Sequence, residues 1–146
     1  NLLTNFSSEV YGYDIDVQSI EYAKKVYVNE CLFFCHEFSS LDSYAFDVCF
    51  SVETIEHMTR DDALFFLTDL YRVISNDGTM IITPPIVEKT DLNPKNPNHK
   101  IEYSDKDFTR LLSEVNYVIL DKFFVPTKFT DGEIKKQGYY KCKKQK

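Results

Sequence analysis

Glycine is scarce in this chain: there are four in 146 residues, and Gly12 is the only one before Gly78. That excludes, ahead of Gly78, a glycine-rich turn whose backbone N–H groups close around an anion, because such a turn needs close backbone approach at several neighbouring positions. Long apolar runs are missing too. None approaches the roughly 18 residues that a membrane helix requires, and neither a signal peptide nor a lipidation box is present. Cys31, Cys35, Cys49 and Cys142 show no paired metal-ligand spacing, and the first three lie in strand-like apolar runs. Buried reduced thiols are therefore expected and no metal site is read. These absences together predict a soluble cytoplasmic protein with no membrane partner.

Positive charge is missing from most of the chain. Lys135, Lys136, Lys141, Lys143, Lys144 and Lys146 are six of the 17 basic residues and no acid follows Glu133, so the remainder holds 11 basic against 23 acidic residues, a balance of −12. Such a body repels a phosphate backbone, which argues against nucleic acid as a partner. The lysines themselves read as a solvated end.

What is present is apolar and aromatic. Hydrophobic residues make up 43%, with 12 Phe and 10 Tyr, so the chain folds around a ring-rich core. Its length suits one domain, 1–146. The stretch VYGYDID, Val10 to Asp16, reads as a short buried strand that ends on a carboxylate. At the carboxyl end of a parallel strand an acid grips the hydroxyls of a nucleotide ribose. It equally closes a strand by capping the next helix; Asp16 fits the cap, and for Asp14 both readings stand.

Helices are expected over Val17 to Val28, over Thr59 to Ser75 and from Ser104, where Asp107 substitutes for the usual capping-box Glu. Ala63, Leu64, Leu67, Leu70, Tyr71 and Ile74 form the apolar face of the second, and Asn76-Asp77-Gly78 stops it. Strands are expected over Cys31 to Cys35, Phe46 to Phe50, Thr79 to Thr83, where Pro84-Pro85 ends the run, and Tyr117 to Val125. Gly138 to Lys143 pairs antiparallel with the last of these across a turn at Asp131-Gly132. Ile86 to Tyr103 reads as a long irregular loop, a kind of segment that often carries function.

FDVCFSVETIEHM followed by LYRVISNDGTMIITPP resembles the class I S-adenosylmethionine-dependent methyltransferases of the small-molecule and glycan group, with Asn-Asp where the family usually has Pro-Gly. The resemblance implies an α/β, Rossmann-like sheet, mostly parallel with an antiparallel C-terminal hairpin, and S-adenosylmethionine as cofactor. It implies methyl transfer to an oxygen or nitrogen of a small molecule or sugar. It places Asp14 on the ribose hydroxyls, Ile15 beside the adenine, Glu37 on the adenine amino group and Phe38 where a backbone N–H meets the ring. Ser51 and Glu53 flank the sulfonium end. His57 falls where a general base or a tie for the strand-to-helix connection is found. NPNHKIEYS resembles a loop before the next helix, which puts His99 and Glu102 against the acceptor, or makes His99 a structural bond.

The resemblance also implies a first strand and glycine-rich loop ahead of VYGYDID, which this sequence lacks, so an N-terminally truncated, partial domain is expected. That strand would be central in the sheet. Its loss predicts either a shortened sheet or a self-associating one, with a second copy or a partner chain covering the gap. The contrasting reading is a non-catalytic, methyltransferase-like remnant or subunit that binds a partner.

Overall fold

The computed structural model of the protein describes residues 2–128, 132 and 134–145. It divides into two compact units, Asn1–Asp42 and Ser43–Lys146. Among the described residues no helix is long and apolar enough to cross a membrane.

The first unit is a strand, a helix and a strand: β1 (Val10–Tyr13), α1 (Val17–Val26) and β2 (Leu32–Cys35). The strands pair in parallel, with Tyr13 opposite Cys35. Asp16 caps α1 as the sequence predicts, its carboxylate accepting from the backbone N–H groups of Gln18 and Ser19, while Lys24 and Lys25 occupy the last turn.

The second unit runs β3 (Phe46–Val52), α2 (Arg60–Val73), β4 (Ile74–Thr83), β5 (Pro85–Val87), β6 (Tyr103–Ser104), α3 (Asp105–Glu114), β7 (Tyr117–Lys128) and β8 (Ile134–Lys144). Its sheet order is β3-β4-β8-β5-β6, with β7 also on β8. β3 lies parallel to β4 and β5 to β6, whereas β8 is antiparallel to β4, β5 and β7. The antiparallel hairpin is thus as expected; Asp131 of its connecting turn lies outside the described residues.

Three details differ from the sequence reading. First, α2 ends at Val73 and Asn76-Asp77-Gly78 lies inside β4, with no positive φ at any of the three. Fully buried Ile74 pairs opposite Phe46, and the register then slips so that Val48 faces Thr79; strand pairing here outweighs the local turn preference. Gly78 serves for close approach instead, since a Cβ there would sit 2.6 Å from Ile74 Cγ2 and 3.0 Å from the Asp47 carbonyl oxygen. Gly78→Ala should cost about 1–3 kcal/mol in urea unfolding, the range for overpacking; a midpoint equal to wild type would refute that account.

Second, β3 is not covered on both faces. Ser51 is buried while Val48, Phe50 and Val52 stay exposed, 60% for Val52. Third, the terminal lysines are solvated only in part: β8 lies inside the sheet and alternates its side chains between faces, so Lys136, Lys141 and Lys143 are exposed but Lys144 is not. Lys144 is buried, its Nζ over the rings of Tyr44 and Tyr71, and burial pushes its pKa down.

The core of this unit forms where α2 and α3 set their apolar stripes against the sheet. Ala63, Phe66, Leu67, Leu70 and Val73 are buried on α2, and Phe108, Leu111 and Leu112 on α3. Each fully buried Leu or Phe contributes roughly 1.5–3 kcal/mol by leaving water. The Phe108 ring meets Tyr140 edge-on at 4.9 Å. All four cysteines are free, but only Cys142 is buried and the others are half-buried. Burial pushes the Cys49 and Cys142 thiols up to about 12, leaving them neutral.

Candidate functional site

In the first unit, Asp14 and Glu37 follow the carboxyl ends of two adjacent parallel strands. Both are exposed. Asp14 Oδ1 accepts from the Asp16 backbone N–H at 2.9 Å, which fixes the carboxylate over the strand end. Ile15 is 81% exposed. The Phe38 ring packs on Tyr13, centroids 4.0 Å apart. Two exposed carboxylates accept hydrogen bonds and an exposed aliphatic side chain offers apolar surface, so this set of acceptors fits a nucleoside whose hydroxyls and amino group donate.

In the second unit, β3 delivers Glu53 just past its end, with φ at +49°. A non-glycine residue in that region is strained and is held by its surroundings. Here the Glu53 N–H donates to the Thr83 carbonyl at 3.1 Å, and the Glu53 carboxylate accepts from the Gln137 side-chain amide. Gln137 Nε2 also donates to the Thr83 carbonyl at 2.8 Å, which locks β3, β4 and β8 together at this point. Burial raises the Glu53 pKa, against the pull of the Gln137 hydrogen bond.

The turn at Ile55–His57 carries Glu56 into the interior. It is 1% exposed, and neither carboxylate oxygen has a hydrogen-bond partner among the described residues. Burial pushes its pKa up to about 8. The Glu56 backbone carbonyl accepts from the N–H groups of Lys100 and Ile101 at 2.7 and 3.2 Å, so the segment read as an irregular loop is tied to this turn. That segment is more ordered than expected: Asp91 and Glu102 form a β-bridge before β6.

The same tie brings two imidazoles together. His57 Nδ1 lies 2.9 Å from the Asn98 carbonyl oxygen, and His99 Nδ1 lies 2.8 Å from Glu102 Oε1. The rings meet edge-on with centroids 5.0 Å apart. A carbonyl oxygen only accepts, so His57 Nδ1 carries the hydrogen, and in the neutral ring Nε2 is the nitrogen with the lone pair. Glu102 is buried, and its Oε1 that meets His99 Nδ1 also accepts from Lys135 Nζ at 2.8 Å. Ser51 is buried with its Oγ unpartnered among the described residues.

Of the residues singled out in the sequence, Asp14, Ile15, Glu37 and Phe38 thus belong to the first unit, while Glu53, His57, His99 and Glu102 gather in the second. Sequence reasoning missed Gln137 and Lys135. Each reaches the site from β8, 84 and 33 positions from its partner, and no local spacing signals such a contact.

The fold matches known proteins. The model of a methyltransferase-domain family matches residues 1–82. A search of curated proteins finds no match. Among solved structures, an S-adenosylmethionine-dependent methyltransferase from Leishmania major is similar with a TM-score of 0.80 and 18% identity, over 98% of this chain and 58% of that one. The 1,6-didemethyltoxoflavin-N1-methyltransferase of Burkholderia thailandensis, solved with 1,6-didemethyltoxoflavin and S-adenosylhomocysteine, has a TM-score of 0.69 and 18% identity, over 94% of this chain and 62% of that one. A methyltransferase of Haloferax volcanii in complex with its Trm112 activator has a TM-score of 0.74 and 12% identity, over 99% and 76%. The chain therefore spans about three fifths of the first two proteins' length. With more than half of its residues matched and the α/β sheet and C-terminal hairpin in place, the chain belongs to the methyltransferase-domain family, the S-adenosylmethionine-dependent class I group that its sequence resembles.

Proposed function

We propose that this chain takes part in S-adenosylmethionine-dependent methyl transfer to an oxygen or nitrogen of a small molecule, sugars included. The observation that carries the reading is the pair of carboxylates, Asp14 and Glu37, at the ends of adjacent parallel strands. Asp14 accepts from the ribose hydroxyls and Glu37 from the adenine amino group, with Ile15 and Phe38 along the base. The cofactor supplies an electrophilic methyl group on a sulfonium, so an acceptor needs only an available lone pair and correct alignment.

His57 and His99 are the acceptor-side groups. Each has Nδ1 committed to an oxygen acceptor, which orients the ring and leaves Nε2 to meet a hydroxyl. Glu102 positions His99 and, in this reading, lines the acceptor side with it. The reading is tested with radiolabelled S-adenosylmethionine and a panel of hydroxyl and amine acceptors, following label transfer. For a hydroxyl acceptor, His99→Ala should lower turnover by about 10²–10⁴-fold. Wild-type turnover in that variant would remove His99 from the acceptor side, and no transfer to any acceptor by a cofactor-binding sample would favour the partner-binding reading.

A further inference from the structure

Glu56 has no role in the reading above, yet its placement is the least expected in the molecule. A carboxyl group that is 1% exposed, with both oxygens unpartnered among the described residues, forfeits the hydrogen bonds that water would give it. Buried carboxylates are normally paired or coordinate a metal. Around this one, ligand atoms of Glu56, His57 and His99 lie within 4.8 Å of one another. His57 Nε2 is 3.7 Å from Glu56 Oε1.

We propose that Glu56, His57 and His99 bind one divalent transition-metal ion, with Zn2+ as the type. Bond lengths of about 2.0–2.2 Å to nitrogen and carboxylate oxygen set tetrahedral ligand atoms roughly 3.4 Å apart. The His57–Glu56 separation already approaches that spacing, and closing the rest of the triangle takes a shift on the order of 1 Å.

The surroundings support the ligand set independently. Metal-bound histidines characteristically donate their second ring nitrogen to a carbonyl or a carboxylate, which orients the ring and raises its basicity. Both histidines do so here, His57 to the Asn98 carbonyl and His99 to Glu102, and Lys135 in turn fixes Glu102. The His57 side chain is 45% exposed, so an ion has a way in. Two imidazoles and one carboxylate suit Zn2+ better than Mg2+, which prefers all-oxygen octahedral shells. Three protein ligands leave a position open for water or an acceptor atom. His57 and His99 would then reach an acceptor through the ion. The site itself does not depend on methyl transfer, because binding is read without cofactor or acceptor.

Metal-stripped protein is titrated calorimetrically with ZnCl2 and, separately, with MgCl2. One Zn2+ per chain is expected, with no saturable Mg2+ binding. His57→Ala/His99→Ala should weaken Zn2+ binding by more than about 100-fold and Glu56→Gln by about tenfold or more, while Cys31→Ser/Cys35→Ser leaves it unchanged. The visible absorption of bound Co2+ reports the same ligands and should be lost in the histidine variant. If that variant does not fold, the near-isosteric Glu56→Gln carries the test. Absence of saturable Zn2+ binding in folded wild type overturns the proposal. So does Zn2+ binding that survives the loss of Glu56 or of both histidines, or that disappears with the cysteines. Cofactor titration of the same samples separates failure here from failure of the methyl-transfer reading.

Discussion

Replacing Lys135 by Met should destabilise the protein by about 3–5 kcal/mol, the range for removing one partner of a buried ion pair. The Lys135 side chain is 9% exposed and that of Glu102 3%, and Lys135 Nζ lies 2.8 Å from Glu102 Oε1. Methionine keeps most of the volume and removes the charge. Glu102 would then stay buried with only His99 Nδ1 to satisfy that oxygen, and Glu102 holds His99. The cost is therefore dominated by the uncompensated carboxylate rather than by lost packing. Lys136→Met is the control, since Lys136 is the exposed neighbour on the same strand and such surface changes stay within about 0.5 kcal/mol. Urea unfolding of both variants, with unchanged denaturant slope, decides the matter. Equal midpoints for the two variants would show that the pair contributes nothing to stability.

Much of the fold was legible because it is written in local chemistry. Asp16 and Ser104 each precede a helix and each caps it, Ser104 accepting from the Asp107 N–H. The shorter Asp107 does not complete the usual box. The Ser104 N–H donates to Thr90 Oγ1 instead, and Thr90 and Ser104 both donate to Asp107 Oδ2. On α2 the 3.6-residue period picked Ala63, Leu67 and Leu70 correctly but passed over Phe66 and Val73, which widen the buried stripe. The helix end was misplaced because Ile74 is fixed by pairing with Phe46, a contact 28 positions away that no turn propensity registers.

The candidate site divides in the same way. Asp14, Glu37, His57, His99 and Glu102 were readable from strand ends and from the family resemblance. The burial of Glu56 was not, since acidic residues are almost never fully buried and nothing in ETIEH marks one that is. Gln137 was hidden for a different reason: its contact with Glu53 depends on the register of β8 against β5, where Pro85 pairs with Gln137. Lys135 was hidden by its own neighbours, because six lysines among the last twelve residues look like solvated charge until the strand is known to be interior.

The central claim is that this chain binds S-adenosylmethionine through the carboxylate ending β1. Hydrogen bonds to a charged group contribute about 1.5–3 kcal/mol each, and each 1.4 kcal/mol is about tenfold in affinity. Calorimetric titration of wild type and Asp14→Ala with S-adenosylmethionine and S-adenosylhomocysteine reads this directly. The account predicts saturable binding of both by wild type and a loss of more than about tenfold in Asp14→Ala. No heat at millimolar cofactor from folded wild-type protein, or equal affinity in the variant, would contradict it.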